Sequence, residues 1–145
     1  MTSLVLVADD DPVQRRLLEA MTRRFGYQVE TVDGGEAALA RLEAADKQPV
    51  DCLVLDLVMP DLDGMAVLSR MRQRGINVPV IVQTAHGSID AAITAMRAGA
   101  ADFVVKPASP ERLEVSINSA LKIEALQGEI ARIKKKAEGT LTFAD

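Results

Sequence analysis

Short unbroken apolar runs alternate along the chain with longer stretches in which apolar positions recur every three or four residues. Leu4-Val-Leu-Val-Ala8 reads as a buried strand, and Pro12 to Phe25 as a helix with Leu17, Leu18 and Met21 on one face. Gly26 closes that helix, and Gln28 to Val32 follows as a weaker strand. Gly34-Gly35 leads into a helix near Glu36 to Ala45. Val50 to Leu55 is a third strand and Gly64 to Arg74 a third helix, stopped by Gly75. Val78 to Val82, strongly β-branched, is the fourth strand. Ser88 to Ala98 is a helix ending at Gly99, and Asp102 to Val105 a short last strand. Ser109-Pro110-Glu111 then opens a helix with a capping serine, a proline in the first turn and an early acid.

This makes five strand–helix units. The strands are continuous apolar runs rather than alternating ones, so both faces of their sheet are covered, as in parallel sheets flanked by helices. Right-handed crossovers leave one doubly wound α/β sheet as the simplest topology. Ligands of such sheets sit beyond the carboxyl ends of the strands. The residues there are Asp9-Asp10-Asp11 after strand one, Asp56 after strand three, Thr84 after strand four and Lys106-Pro107 after strand five. Strand two offers only Thr31-Val32-Asp33.

Asp9, Asp10 and Asp56 drawn together would repel, and a hard divalent ion with oxygen ligands relieves the conflict; Mg²⁺ suits such a site. Lys106 adds a second positive charge and Thr84 a hydroxyl donor. Together they can stabilise the oxygens of a transferring phosphoryl group, with Asp56 as a carboxylate nucleophile forming an acyl phosphate.

The bulk properties narrow the class further. The chain has 145 residues, 48% hydrophobic and 26% charged, with a net charge of -4 and a pI near 5.1, which argues against a general nucleic-acid footprint. Lys134-Lys135-Lys136 is the one basic cluster. A single cysteine, Cys52, excludes an intramolecular disulfide and fits a reducing compartment. Leu4 to Ala8 is too short to span a membrane or serve as a secretory core, so a cytoplasmic protein without membrane contact is expected.

The segments LVLVADDDP, CLVLDLVMPDLDG, VIVQTAHG and DFVVKP, in that order and spacing, resemble the response-regulator receiver domain of two-component signalling from Leu4 to about Leu121. The resemblance implies a flavodoxin-like (βα)5 fold of strand order 2-1-3-4-5 with an extended C-terminal helix. It makes Asp56 the phosphoacceptor, Asp9 and Asp10 the acidic pair with Asp10 a direct Mg²⁺ ligand, and the Val58 carbonyl a further ligand. Thr84 becomes the switch hydroxyl, Lys106 the active-site lysine and Phe103 the aromatic that turns inward. The phosphoryl donor would be a sensor histidine kinase, and the face built from the fourth helix, last strand and fifth helix would respond. Such a domain is a signalling module that catalyses only its own phosphoryl transfer. Three departures stand out: Phe103 lacks a phenol, Ala108 replaces a frequent phenylalanine, and Ala8 is smaller than usual.

Other polar residues have plainer readings. Asp11, before Pro12, caps the first helix; Asp61 and Asp63 serve the turn from Pro60 to Gly64; Arg15 and Arg16 form a solvated helix face. His86, without a second histidine or a nearby cysteine, is a loop residue rather than a transition-metal ligand.

Leu113, Ile117 and Ala120 would face the sheet. Beyond them Ile123, Leu126, Ile130 and Ile133 are spaced three-four-three, an a/d seam that favours a homodimer through a parallel helix pair, although Gly128 within it costs about 1 kcal/mol. The expected organisation is a receiver domain over 1–121, a helical linker over 122–137 and the start of a truncated region over 138–145. The Thr84-Ala85-His86 variant, the long helix and the closing LTFAD resemble nitrogen-regulation-class (sigma-54 enhancer-binding) regulators, in which an ATPase follows. The rival is a haloacid-dehalogenase-type phosphatase, because Asp9-Asp10-Asp11-Pro12-Val13 fits DxDx[TV] with Asp9 as nucleophile and Asp11 as general acid. That reading lacks a later acidic pair and leaves Asp56 without a task.

Overall fold

The computed structural model describes residues 3–85 and 88–122. Five strands, β1 (Leu4–Ala8), β2 (Gln28–Val32), β3 (Cys52–Asp56), β4 (Val80–Thr84) and β5 (Asp102–Val105), form one parallel sheet in the order β2-β1-β3-β4-β5. Between them run α1 (Pro12–Arg24), α2 (Gly35–Leu42), α3 (Gly64–Gln73) and α4 (Ile89–Arg97), and a further helix, α5, occupies 110–122.

Alternation along the strands assigns two cores. Leu4, Leu6, Leu53, Leu55, Val80 and Val82 pack with Ala38, Leu39, Val67, Leu68 and Ala95, so α2, α3 and α4 cover one face. Val5, Val7, Cys52, Val54, Ile81 and Val104 pack with Leu18, Met21, Leu113 and Ile117, so α1 and α5 cover the other. The three central strands are buried at every position, whereas the edge strand β2 is partly exposed throughout. That is why the β2 run is less apolar in sequence.

The helix ends follow local chemistry. Asp11 accepts the Val13 N–H at 2.9 Å and caps α1; Asp63 accepts the Ala66 N–H at 2.8 Å and caps α3. Ser109 Oγ accepts the Arg112 N–H at 3.2 Å. Gly26, Gly75 and Gly99 follow α1, α3 and α4 with positive φ, the left-handed turn that glycine takes without a Cβ penalty.

Two expectations need correction. Leu17 is 45% exposed while Leu18 and Met21 are buried. The buried stripe of α1 runs through Leu18, Met21 and Thr22, and Leu17 lies one residue, about 100°, round the helix from Leu18. Asp61 does not close its own turn alone: it accepts the Gly35 and Glu36 N–H groups, both at 3.1 Å, and so caps α2 across the structure, where Gly34 has no side chain to do so. Ile123, Leu126, Ile130 and Ile133, the linker and terminal segments, Lys134–Lys136 and His86 lie outside the described residues.

Candidate functional site

The pairing registers align the acidic residues. Ala8 faces Leu55 and Asp56 faces Gln83, so Asp9, Asp56 and Gln83 form one row across β1, β3 and β4. All three continue the alternation of the face covered by α1 and α5. Asp9 is fully buried, Asp56 is 3% exposed and Asp10 is exposed. Asp56 thus stands at the rim of the sheet, but beneath its surface.

A buried carboxylate at a strand end needs partners, and Asp56 has two. Lys106 Nζ donates to Asp56 Oδ2 at 2.7 Å, and the Val58 N–H donates to Oδ1 at 3.1 Å. Lys106 reaches from the end of β5 across β4 to do this, and its ammonium also stands 3.6 Å from Asp9 Oδ2. Burial lowers the pKa of such an ammonium, but the hydrogen bond and charge of Asp56, with Asp9 and Asp10 behind, outweigh it and hold Lys106 above the usual range.

Asp9 is less comfortable. Its Oδ1 accepts the Asp11 N–H at 2.9 Å, whereas the buried Oδ2 has no hydrogen-bond partner. Burial pushes its carboxyl above the usual carboxylate value; the Asp11 N–H and Lys106 oppose this, and the charges of Asp56 and Asp10 add to it. Asp9, Asp10 and Asp56 each offer an oxygen, all within 4.8 Å of one another. An orphaned charged oxygen inside an all-carboxylate cluster with one ammonium is a donor set that fits a hard divalent cation such as Mg²⁺.

Thr84 ends β4, 3% exposed, on the opposite face of the sheet, the one lined by Val82. Phe103 shares that face: it pairs with Val82 and packs half-buried on the same core. The backbone of Phe103 is held on both sides, its N–H by Asp102 Oδ1 at 2.8 Å and its carbonyl by Arg112 at 3.0 Å. The Val58 side chain is 75% exposed.

Two positioning contacts escaped the sequence reading. Arg15, expected on a solvated face, donates to the Asp9 carbonyl oxygen at 2.8 Å and ties α1 to the acidic loop. Gly64 presses on the other side: a Cβ there would lie 2.7 Å from the Asp56 carbonyl oxygen and 2.8 Å from Leu57 Cα. Neither has a local sequence signal, because each depends on how separate segments meet. Asp11 is spent on capping α1, which removes it as a free general acid.

The response regulator receiver domain family matches residues 5–118 of this chain. The chain belongs to that family. The receiver domain is 42% identical over 118 residues to the "Probable transcriptional regulator ycf27" of Porphyra purpurea, covering 81% of this chain and 47% of that protein. Among solved structures, a response regulator receiver domain protein from Clostridium thermocellum superposes with a TM-score of 0.79 at 28% identity, covering 86% of this chain and 98% of that one. NtrX from Brucella abortus in complex with ADP gives a TM-score of 0.84 at 30% identity, covering 92% of this chain and 30% of that one. The chain spans about half the length, or less, of the curated relatives it matches. The phosphatase alternative finds no support in these matches. Among the described residues no helix is long and apolar enough to cross a membrane.

Proposed function

We propose that this receiver domain switches by phosphorylation of Asp56. The observation that carries the reading is the contact of a buried strand-end carboxylate with Lys106 Nζ at 2.7 Å beside an all-acidic cluster whose oxygens lie within 4.8 Å. Asp9, Asp10 and Asp56, with the Val58 carbonyl, would hold Mg²⁺, which when bound neutralises the carboxylates and the incoming phosphoryl oxygens. An Asp56 carboxylate oxygen attacks phosphorus in line; the bond to the donor breaks, and for a phosphohistidine of a sensor kinase the electron pair returns to the imidazole nitrogen. Val58 N–H and Lys106 orient the carboxylate before attack, and Lys106 then pairs with a phosphoryl oxygen.

Thr84 turns its hydroxyl to the new phosphate, and the space it leaves is taken by Phe103 on the same sheet face. The α4-β5-α5 face changes with it, a two-state element biased by one local charge event. Exposed Ile89, Ile93 and Met96 on α4 give that face apolar surface to offer an output partner. We assign the domain to a cytoplasmic nitrogen-regulation-class regulator, dimeric through the seam from Ile123 to Ile133, which governs transcription through a downstream ATPase; the likeness to the ADP-bound NtrX supports this class. The domain itself does not bind nucleic acid, in keeping with its acidic charge.

Incubation with Mg²⁺ and acetyl phosphate is expected to add one acid-stable, base-labile phosphoryl group, absent in Asp56→Asn. An equally labelled Asp56→Asn protein overturns the assignment.

A further inference from the structure

Among the buried polar side chains described, Gln83 is the one left without a partner or a task. It is 1% exposed, and neither Nε2 nor Oε1 has a hydrogen bond; among the described residues the only other such atom is Asp9 Oδ2. By contrast, Thr22 donates to Leu18, Arg41 to Glu30 and Gln48, and Ser116 to Asp102. A buried amide unpaired at both ends is destabilising, and such a group calls for a specific explanation.

The register supplies one. Gln83 pairs with Asp56 on one side and Val104 on the other, and all three side chains share the face covered by α1 and α5. Lys106 lies two residues beyond Val104 and reaches Asp56 Oδ2 at 2.7 Å. To do so it must span β4, whose residue in register with Asp56 is Gln83, over two strand spacings of roughly 4.8 Å each. Its ammonium has three N–H donors; one is given to Asp56, and its other carboxylate neighbour among the described residues, Asp9 Oδ2, lies beyond hydrogen-bond distance at 3.6 Å.

We propose that Gln83 is a positioning residue for Lys106, a role that rests on Asp56 being the phosphoacceptor. When an Asp56 oxygen becomes bonded to phosphorus, the ammonium leaves it for a phosphoryl oxygen, still protonated. Gln83 Oε1 then accepts a second ammonium N–H, and Nε2 donates to the Asp56 oxygen that carries no phosphorus. Both orphaned ends are satisfied in the phosphorylated form only. An amide suits this place because it orients the ammonium without cancelling its charge, as a carboxylate would.

The test compares the full chain with Gln83→Met, a substitution of similar length without hydrogen-bonding groups. The variant is expected to melt at or above the wild-type temperature, since it removes unpaired polar atoms, yet to be labelled by acetyl phosphate and Mg²⁺ about tenfold more slowly. In the wild type, the Lys106 ammonium NMR signal becomes protected from water exchange when beryllofluoride and Mg²⁺ mimic the phosphoryl group; in Gln83→Met that protection is lost. Labelling within about twofold of wild type with the same Lys106 signal overturns the proposal. Slower labelling with a lower melting temperature and an unchanged Lys106 signal also overturns it, because Gln83 would then be a packing residue. If the wild type takes no label at Asp56, the phosphoacceptor reading falls first and this role with it.

Discussion

Replacing Asp9 by asparagine should stabilise the protein when divalent ions are absent. Asp9 is fully buried, its Oδ2 accepts no hydrogen bond, and among the described residues its carboxylate's one ion-pair partner, Lys106, stands 3.6 Å away. With an effective dielectric near 20, Lys106 at 3.6 Å attracts Asp9 by about 4–5 kcal/mol. Buried Asp56, with an oxygen within 4.8 Å, repels it by about 3 kcal/mol and the exposed Asp10 by less, so repulsion roughly offsets the attraction. The cost of burying an unpaired charged oxygen then tips the balance against Asp9 by about 2 kcal/mol. Asparagine keeps the Oδ1 acceptor for the Asp11 N–H and adds a donor where Oδ2 lies orphaned. For a chain of this size, a gain of about 2 kcal/mol raises the melting temperature by roughly 6–10 °C. The assay is a thermal melt in EDTA, repeated with Mg²⁺. A hundredfold excess of Mg²⁺ over its dissociation constant adds about 2.7 kcal/mol to the wild type. The variant, with one carboxylate fewer, gains less, and the difference between the two narrows or reverses. A variant that melts below wild type in EDTA would refute the reasoning: Asp9 and Lys106 would then be a structural ion pair, not part of a cluster awaiting a cation.

Other outcomes can be checked alongside. Lys106→Ala leaves Asp56 and Asp9 buried without a cation, so in EDTA it should lose up to about 3 kcal/mol in denaturant melts, recover with Mg²⁺ and respond weakly to phosphodonor; complete unfolding in Mg²⁺ would make the lysine structural. Gly64→Ala must push a Cβ against the Asp56 carbonyl oxygen, 2.7 Å away, and is expected to cost about 1–3 kcal/mol and slow Asp56 labelling. Burial raises the Asp102 carboxyl, but hydrogen bonds from Arg112, Ser116 and the Phe103 N–H outweigh it and hold it below the ordinary 3.8. That stabilisation is present above the unfolded value and lost as pH falls through the depressed one, so the gap between wild type and Arg112→Ala should be constant above about pH 5 and close in acid. Burial pushes the Cys52 thiol up to about 12, so iodoacetamide should modify it only through unfolding; rapid native-state alkylation would contradict that.

The strands, and the gathering of Asp9, Asp10, Asp56 and Lys106 in one candidate site, were readable in the sequence because apolar runs and the residues that end them are local signals. Leu4–Ala8, Gln28–Val32 and Asp102–Val105 coincide with β1, β2 and β5, since turn residues bracket each run. β3 and β4 run on to Asp56 and Thr84, one and two residues past the apolar stretches, because the polar residues at their ends still pair with their neighbours. The convergence of Asp9, Asp56 and Lys106 follows from parallel topology alone, which brings every strand's carboxyl end to one edge. What stayed hidden depends on meetings between distant segments. Asp61 caps a helix that begins at Gly35, Arg15 folds back on the Asp9 carbonyl, and Gln83, unremarkable in a β-branched run, lies in register with Asp56.

Reductive trapping tests the central claim most directly. Borohydride converts an acyl phosphate to the corresponding alcohol, and peptide mass spectrometry locates the converted residue after treatment with Mg²⁺ and acetyl phosphate. The account predicts homoserine at position 56 and nowhere else. Conversion at Asp9, or none at all in a protein that binds Mg²⁺, would contradict it.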